Sequence, residues 1–290
     1  MKNRIIIGTR GSKLAEAQAD WVAEELGRFY KKEILIKKIK TKGDTIGSVW
    51  EKGFFVKEIE EELLREEIDI AVHSMKDLPT DLPLGLMIGA VPKRIESRDV
   101  LVSKGNLKLD ELPSKSLIGT SSLRRKAQIL AYRPDLCLQD LRGNLDTRLK
   151  RLEEGHLWAI VVAGAGLIRM GWQDRISQVI GTDIILPAAG QGALAIEIRV
   201  DDRKTKELVE GLNDKDSHVC ISAERSFLKT LGGGCQVPIG VLAELFDDDI
   251  EISGMTVDGE RITRSKIRGE RLQAIQLGER LAKRLMGVEK

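Results

Sequence analysis

At 290 residues the chain has room for about two domains of ~150 residues and a small third. Lys and Arg number 47 against 45 Asp and Glu, a net charge of +2, so the whole-chain field gives no general nucleic-acid signal, and 42% hydrophobic residues support folded cores rather than disorder. The longest apolar stretches, such as Ala159 to Ile168, fall short of the ~20 residues of a membrane span, and the opening MKNRIIIGTR lacks a signal h-region and cleavage site, so neither secretion nor membrane insertion is expected.

Strands and helices alternate through the first two thirds. Arg4 to Gly8 is a β-branched run, and Ala15, Ala19, Val22, Leu26 and Phe29 behind it recur at helical spacing as a buried stripe. Ile34 to Ile39 is a strand, Val56, Ile59 and Leu63 mark a second helix, and Ile68 to Val72, Met87 to Val91 and Val100 to Ser103 are further strands. The cycle restarts with Leu117 to Thr120, a helix from Leu123, a strand over Leu136 to Leu141, a helix from Leu145 and a buried strand over Ala159 to Ala163. Continuous apolar strands between amphipathic helices predict parallel sheets covered on both faces. Ile7-Gly8-Thr9 before Ala17-Gln18 echoes Ile118-Gly119-Thr120 before Ala127-Gln128, a hint of two similarly built halves. Leu194 to Val200 is placed to rejoin the first sheet. From Ser217 a helix to about Leu231, a Gly-rich loop, short strands around Val241, Ile252 and Ile267, and a helix bearing Ala274, Leu277, Leu281 and Leu285 read as a small α+β domain. The expected division is residues 1–97 with 193–214, residues 98–192, and residues 215–290.

Ligands of open α/β sheets bind beyond the carboxyl ends of the strands, near helix N-termini whose free N–H groups attract anions. Those ends are loaded with hydroxyls and arginines: Thr9-Arg10-Gly11-Ser12, Thr120-Ser121-Ser122-Leu123-Arg124-Arg125, Arg142-Gly143-Asn144 with Arg148 further on, and Ala163-Gly164-Ala165-Gly166 leading to Arg169. Serine and threonine at a helix start serve equally as ordinary caps. Arginine at four separate strand ends is better explained by a site gathering several carboxylates, since guanidinium groups bind them in bidentate, charge-assisted fashion. Phosphate is the competing ligand, yet no GxxxxGK[ST] loop is present and Arg169 stands where a dinucleotide fingerprint needs its third glycine.

Ala71-Val72-His73-Ser74-Met75-Lys76-Asp77-Leu78-Pro79 follows a buried strand and stops at a proline, which confines Ser74, Lys76 and Asp77 to a sharp loop. Neighbouring cations favour ionised Asp77, and a fixed carboxylate there can accept a substrate N–H and stabilise a developing cation; an aspartate that simply caps the turn before Pro79 is the alternative. His73 reads as a packed, hydrogen-bonded histidine rather than a base. Three cysteines without a CxxC fit a reducing compartment, and the scattered His73, His156 and His218 offer no zinc pattern. Cys137 and Cys220 read as core residues. Cys235, between Gly232-Gly233-Gly234 and Gln236-Val237-Pro238, is the thiol placed to project and react, the alternative being a cysteine that fills a tight corner.

These segments, with Lys52-Gly53-Phe54-Phe55-Val56-Lys57-Glu58, Leu186-Pro187-Ala188-Ala189-Gly190-Gln191-Gly192 and Gly233-Gly234-Cys235-Gln236-Val237-Pro238-Ile239-Gly240, together resemble the porphobilinogen deaminase (hydroxymethylbilane synthase) family, in family order and over nearly the whole chain. The resemblance implies two periplasmic-binding-protein-like (type II) α/β domains plus a small C-terminal α+β domain, and a transferase of porphyrin and haem biosynthesis. It implies a dipyrromethane cofactor held by Cys235 through a thioether, to which four porphobilinogen molecules are joined head to tail with loss of ammonia before hydrolysis releases hydroxymethylbilane. Asp77 matches the catalytic aspartate. Ser74, Lys76, Thr120, Ser121, Ser122, Arg124 and Arg125 match cofactor-binding positions, and Arg10, Ser12, Arg142, Arg148, Arg169 and Gln191 match substrate-binding ones. No metal is implied. The segment Thr45 to Glu51 is shorter than in many members, and Lys52 matches a lid position there. A cytoplasmic monomer binding neither nucleic acid nor membrane is expected. The rival reading is a non-catalytic small-anion-binding module built on the same two-domain plan, which leaves Asp77 and Cys235 without a task.

Overall fold

The computed structural model describes residues 4–31, 33–41, 56–232, 238–259 and 261–289. The chain divides into two compact units, Met1–Ile95 with Ala193–Val219, and Glu96–Gly192 with Cys220–Lys290.

In the first unit β1 (Arg4–Arg10), β2 (Glu33–Ile39), β3 (Ile70–Ser74), β4 (Leu86–Ala90) and β10 (Leu194–Arg199) form one sheet in the order β2-β1-β3-β10-β4. β1 runs parallel to β2 and β3, whereas β10 is antiparallel to both β3 and β4. Helices α1 (Lys13–Gly27) and α6 (Arg203–Glu210) contribute Ala19, Val22, Leu26 and Val209 to the core on one face, against Ile5, Ile7, Ile70, Val72, Ile196 and Ile198. Helix α2 (Lys57–Leu64) packs Ile59 and Leu63 with Ile39, Ile68 and Ala71 in a second cluster. Alternation along the strands sends successive side chains to opposite faces, so residues with apolar neighbours on both sides satisfy both layers. Phe29, expected on the buried stripe, is 50% exposed, because α1 stops at Gly27 and the 3.6-residue period no longer governs where Phe29 points.

In the second unit β5 (Asp99–Ser103), β6 (Leu117–Gly119), β7 (Cys137–Gln139), β8 (Ala159–Ala163) and β9 (Gln178–Val179) lie in the order β7-β6-β8-β5-β9. β6 is parallel to β7 and β8, and β5 is antiparallel to β8 and β9. Helices α3 (Leu123–Tyr132), α4 (Leu145–Glu153) and α5 (Gly164–Arg169) follow β6, β7 and β8. The two sheets therefore share one plan, three parallel strands followed by one reversed strand and an edge strand. This supports the echo between the halves, and it corrects the expectation of all-parallel sheets. β7 is shorter than the predicted strand, and Cys137 is exposed rather than core. Leu136 points inward, 4% exposed, so strand alternation turns Cys137 out along an edge.

The same unit ends in an antiparallel meander of β11 (Gly240–Phe246), β12 (Asp249–Asp258) and β13 (Arg261–Glu270). Helix α7 (Lys215–Thr230) supplies the fully buried Phe227, and α8 (Ala274–Leu285) buries Ala274, Leu277 and Leu281. Helix α7 also carries Cys220, which is buried as expected.

Candidate active site

In the first unit the ends of two parallel strands carry the expected groups. β1 ends at Arg10, and Ser12 caps α1, its hydroxyl accepting the Ala15 N–H at 3.3 Å. β3 ends at Ser74 and passes into a 3-10 turn, Met75–Asp77. The Met75 N–H donates to the Ala193 carbonyl, which ties the turn to the start of β10. Ser74 Oγ accepts from Gln18 Nε2 at 2.9 Å, so α1 also braces this turn. Met75 is buried, Ser74 and Lys76 are half-buried, and Asp77 is exposed at the turn's end. A carboxylate on a short, doubly anchored turn loses little conformational freedom when it engages a ligand.

In the second unit the ends of β6, β7 and β8 hold the remaining described candidates. Thr120 is buried and Ser122 caps α3 through the Arg125 N–H. The two arginines that follow turn into the protein. Arg124 Nη1 donates to Asp99 Oδ2 at 2.6 Å and to the Leu186 carbonyl at 2.6 Å. Arg125 donates from Nε and Nη2 to Asp99 Oδ1 at 2.9 and 2.7 Å, and from Nη1 to the Val161 carbonyl at 3.0 Å. Burial alone would raise the Asp99 carboxyl, but the two guanidinium charges override it and hold it well below the usual carboxylate range. Gln191 joins this cluster, donating to the Ser97 carbonyl at 2.7 Å and to Asp99 Oδ1 at 3.1 Å, and is fully buried. Three positions matched to cofactor or substrate thus answer to one buried aspartate, which sequence reasoning missed. Its signal was a carboxylate opening an apolar strand, Asp99-Val100-Leu101-Val102.

Arg142 is exposed and Arg148 is half-buried, its Nε on the Gly143 carbonyl at 2.8 Å. Ser121, between Thr120 and Ser122, is half-buried. Arg169 differs from all of these. It ends α5, donates to the Gly192 carbonyl at 2.9 Å, and burial alone lowers its pKa to about 10. Among the described residues no carboxylate offsets that loss of hydration. Cys235 and Lys52 lie outside the described residues. Among those described, no group of His, Cys, Asp and Glu is arranged to hold a metal ion.

Residues 5–207 match the family described as "Porphobilinogen deaminase, dipyromethane cofactor binding domain", and residues 218–287 match "Porphobilinogen deaminase, C-terminal domain". The chain belongs to the porphobilinogen deaminase family. A porphobilinogen deaminase of Pelotomaculum thermopropionicum is 50% identical over 99% of this chain and 94% of its own length. Another, from Brevibacillus brevis, is 48% identical over 97% and 93%. Among solved structures, the periplasmic aliphatic sulphonate binding protein SsuA from Escherichia coli is similar over 79% of this chain and 71% of its own, at 12% identity and a TM-score of 0.42. Family membership makes the chain a transferase with a dipyrromethane cofactor binding domain. The two five-stranded α/β sheets and the small C-terminal sheet-and-helix domain match the mixed α/β architecture anticipated from sequence. No helix of the described residues is long and apolar enough to cross a membrane.

Proposed function

We propose that this chain is a hydroxymethylbilane synthase of porphyrin and haem biosynthesis. It joins four porphobilinogen molecules head to tail, each addition releasing one ammonia, and water then frees the linear tetrapyrrole. The observation that carries this reading, beside the family match, is Arg169: a desolvated guanidinium with no counter-ion among the described residues. Such a group costs stability unless an anion arrives, and each pyrrole ring of the substrate brings two carboxylates, an acetate and a propionate.

The donor set suits the cofactor as well. Two linked pyrroles carry four carboxylates, and Arg142, Arg148 and Arg169 stand at the ends of strands in one sheet with the hydroxyls of Ser121 and Ser122. When bound through Cys235, dipyrromethane supplies a tethered pyrrole end for chain growth. Asp77 accepts the pyrrole N–H and stabilises the positive charge that develops as the amine departs, a role suited to an exposed carboxylate on an anchored turn. Ser74 and Lys76 border it, Arg10 and Ser12 bind incoming carboxylates from the end of β1, and Lys52 is assigned to the lid position that it matches. In the second unit Thr120, Arg124 and Arg125 serve the cofactor and Gln191 the substrate, with Arg124, Arg125 and Gln191 held in place by Asp99.

The three separate sheets support a reading of residues 1–97 with 193–214, 98–192 and 215–290 as three domains. Cysteine usage supports a reducing, cytoplasmic setting, and we take the protein as a monomer that binds neither membrane nor nucleic acid. The test is intact mass after incubation with porphobilinogen, alongside ammonia release. Mass above the bare chain by two linked pyrroles, absent from Cys235→Ser, is expected. A bare mass with no ammonia released overturns the assignment.

A further inference from the structure

Behind the turn that carries Asp77 lies a buried cluster of titratable groups that the chemistry above does not use. His73 on β3, 5% exposed, places Nε2 at 3.0 Å from Oε2 of Glu197 on β10, which is fully buried. Glu60 on α2 is 7% exposed and close enough that the charges of Glu197 and His73 both act on it. Oε1 of Glu60 and Oε1 of Glu197 are both buried without a hydrogen-bond partner. Two orphaned carboxylate oxygens in one apolar layer carry a large desolvation penalty. A proton on one of the carboxyls relieves it, because a neutral carboxyl donates where a carboxylate only accepts.

We propose that Glu60, His73 and Glu197 form a proton-holding cluster that positions the Ser74–Asp77 turn for the deaminase reaction. This rests on the function proposed above. β3 runs from His73 into the turn within one residue, so whatever fixes the imidazole fixes the base from which Asp77 is presented. A proton on Glu60 places a neutral carboxyl beside the His73–Glu197 hydrogen bond. Loss of that proton adds one negative charge between α2 and the sheet, which loosens the contact that backs the turn. Burial first, and the Glu197 charge second, raise the Glu60 carboxyl to about 7, with His73 opposing. The proton is therefore poised to leave near neutral pH.

Other charged groups share these elements. Arg199 on β10 is two residues from Glu197, so it projects from the same sheet face; it donates to the Leu63 and Ile68 carbonyls and pairs with Asp202 at 2.9 Å and Asp69 at 3.6 Å. Arg10 lies on β1, parallel to β3, and Glu58 and Glu62 flank Glu60 on α2, Glu62 pairing with Lys37 at 2.9 Å.

The experiment is the pH profile of kcat and KM for porphobilinogen in the parent, Glu60→Gln and Glu197→Gln. The parent should show an alkaline limb in kcat near pH 7 with KM changed less than twofold. Glu60→Gln, neutral at every pH, should move that limb up by a full unit or more. Glu197→Gln, which removes the charge that helps hold the proton, should move it down. A structural role would lower kcat in both variants without moving the limb. A limb that stays in place in every folded variant overturns the proposal. If the parent releases no ammonia at any pH, the proposed function has failed instead, and urea midpoints decide the cluster. A carboxyl raised in the folded state keeps a proton that the unfolded chain has released, so parent stability should fall from about pH 4.5 to about pH 7 and level off above. Glu60→Gln should lose that slope, and its persistence overturns the cluster.

Discussion

Asp99→Asn removes one charge and leaves the shape of the second unit's centre almost unaltered. Asp99 is fully buried, and Arg124 and Arg125 are 6% and 5% exposed. The carboxylate accepts three guanidinium hydrogen bonds of 2.6 to 2.9 Å. An asparagine keeps one acceptor oxygen but turns an amide NH2 toward donors, and it leaves two buried cations without a counter-charge. Breaking a buried pair by removing one partner costs about 3–5 kcal/mol. Hydrogen exchange of the β5, β6 and β8 amides is the suitable assay, because a chain with more than one unit need not unfold in a single step. At about 1.4 kcal/mol per tenfold, a loss of 3 kcal/mol raises exchange through global opening more than a hundredfold. The sign of the pH dependence follows from a folded pKa held below the unfolded one. The contribution of Asp99 is complete above about pH 4 and declines as pH falls through the folded value. The gap between parent and variant should therefore close in acid. A variant within about 1 kcal/mol of the parent at neutral pH, or a gap that persists in acid, would refute the account of Asp99 as the counter-charge.

Asp77→Asn should keep the fold, since the side chain is exposed, and lose nearly all turnover; ammonia release at near-normal rate would remove Asp77 from its role. Arg169→Gln should raise the KM for porphobilinogen tenfold or more while raising stability or leaving it unchanged, because a desolvated charge is removed with only one carbonyl contact. A variant with unchanged KM and a lowered urea midpoint would make Arg169 a structural residue.

The order of elements was readable because apolar periodicity follows burial, and nearly every predicted strand and helix has its counterpart. Leu194 to Val200 was recognised as a returning strand, yet its direction was not. Hydropathy records which residues are covered and says nothing of which way the neighbouring strand runs. Cys137 misled because apolar neighbours on an edge strand alternate in and out like any others. The Asp77 turn was legible from a buried strand stopped by proline. Asp99, Glu60 and Glu197 were not, since their meaning depends on partners distant in the chain: Glu197 lies 124 residues from His73. The sequence places Arg124 and Arg125 at a helix start, and only the fold reveals Asp99 as the partner that holds them.

The exchange of reversed strands sets a timetable for synthesis. Every strand of the second five-stranded sheet lies between Asp99 and Val179, so that sheet can close as soon as its own stretch has emerged from the ribosome. The first sheet cannot. β3 and β4 are made early but are not neighbours, and the slot between them waits for Leu194–Arg199. Through about a hundred residues of translation, the half that carries Asp77 holds two unsatisfied strand edges while its younger counterpart is already complete. The nascent chain should thus mature in reverse order of its sequence, and a fragment ending before Ala193 should expose the very edges that invite aggregation.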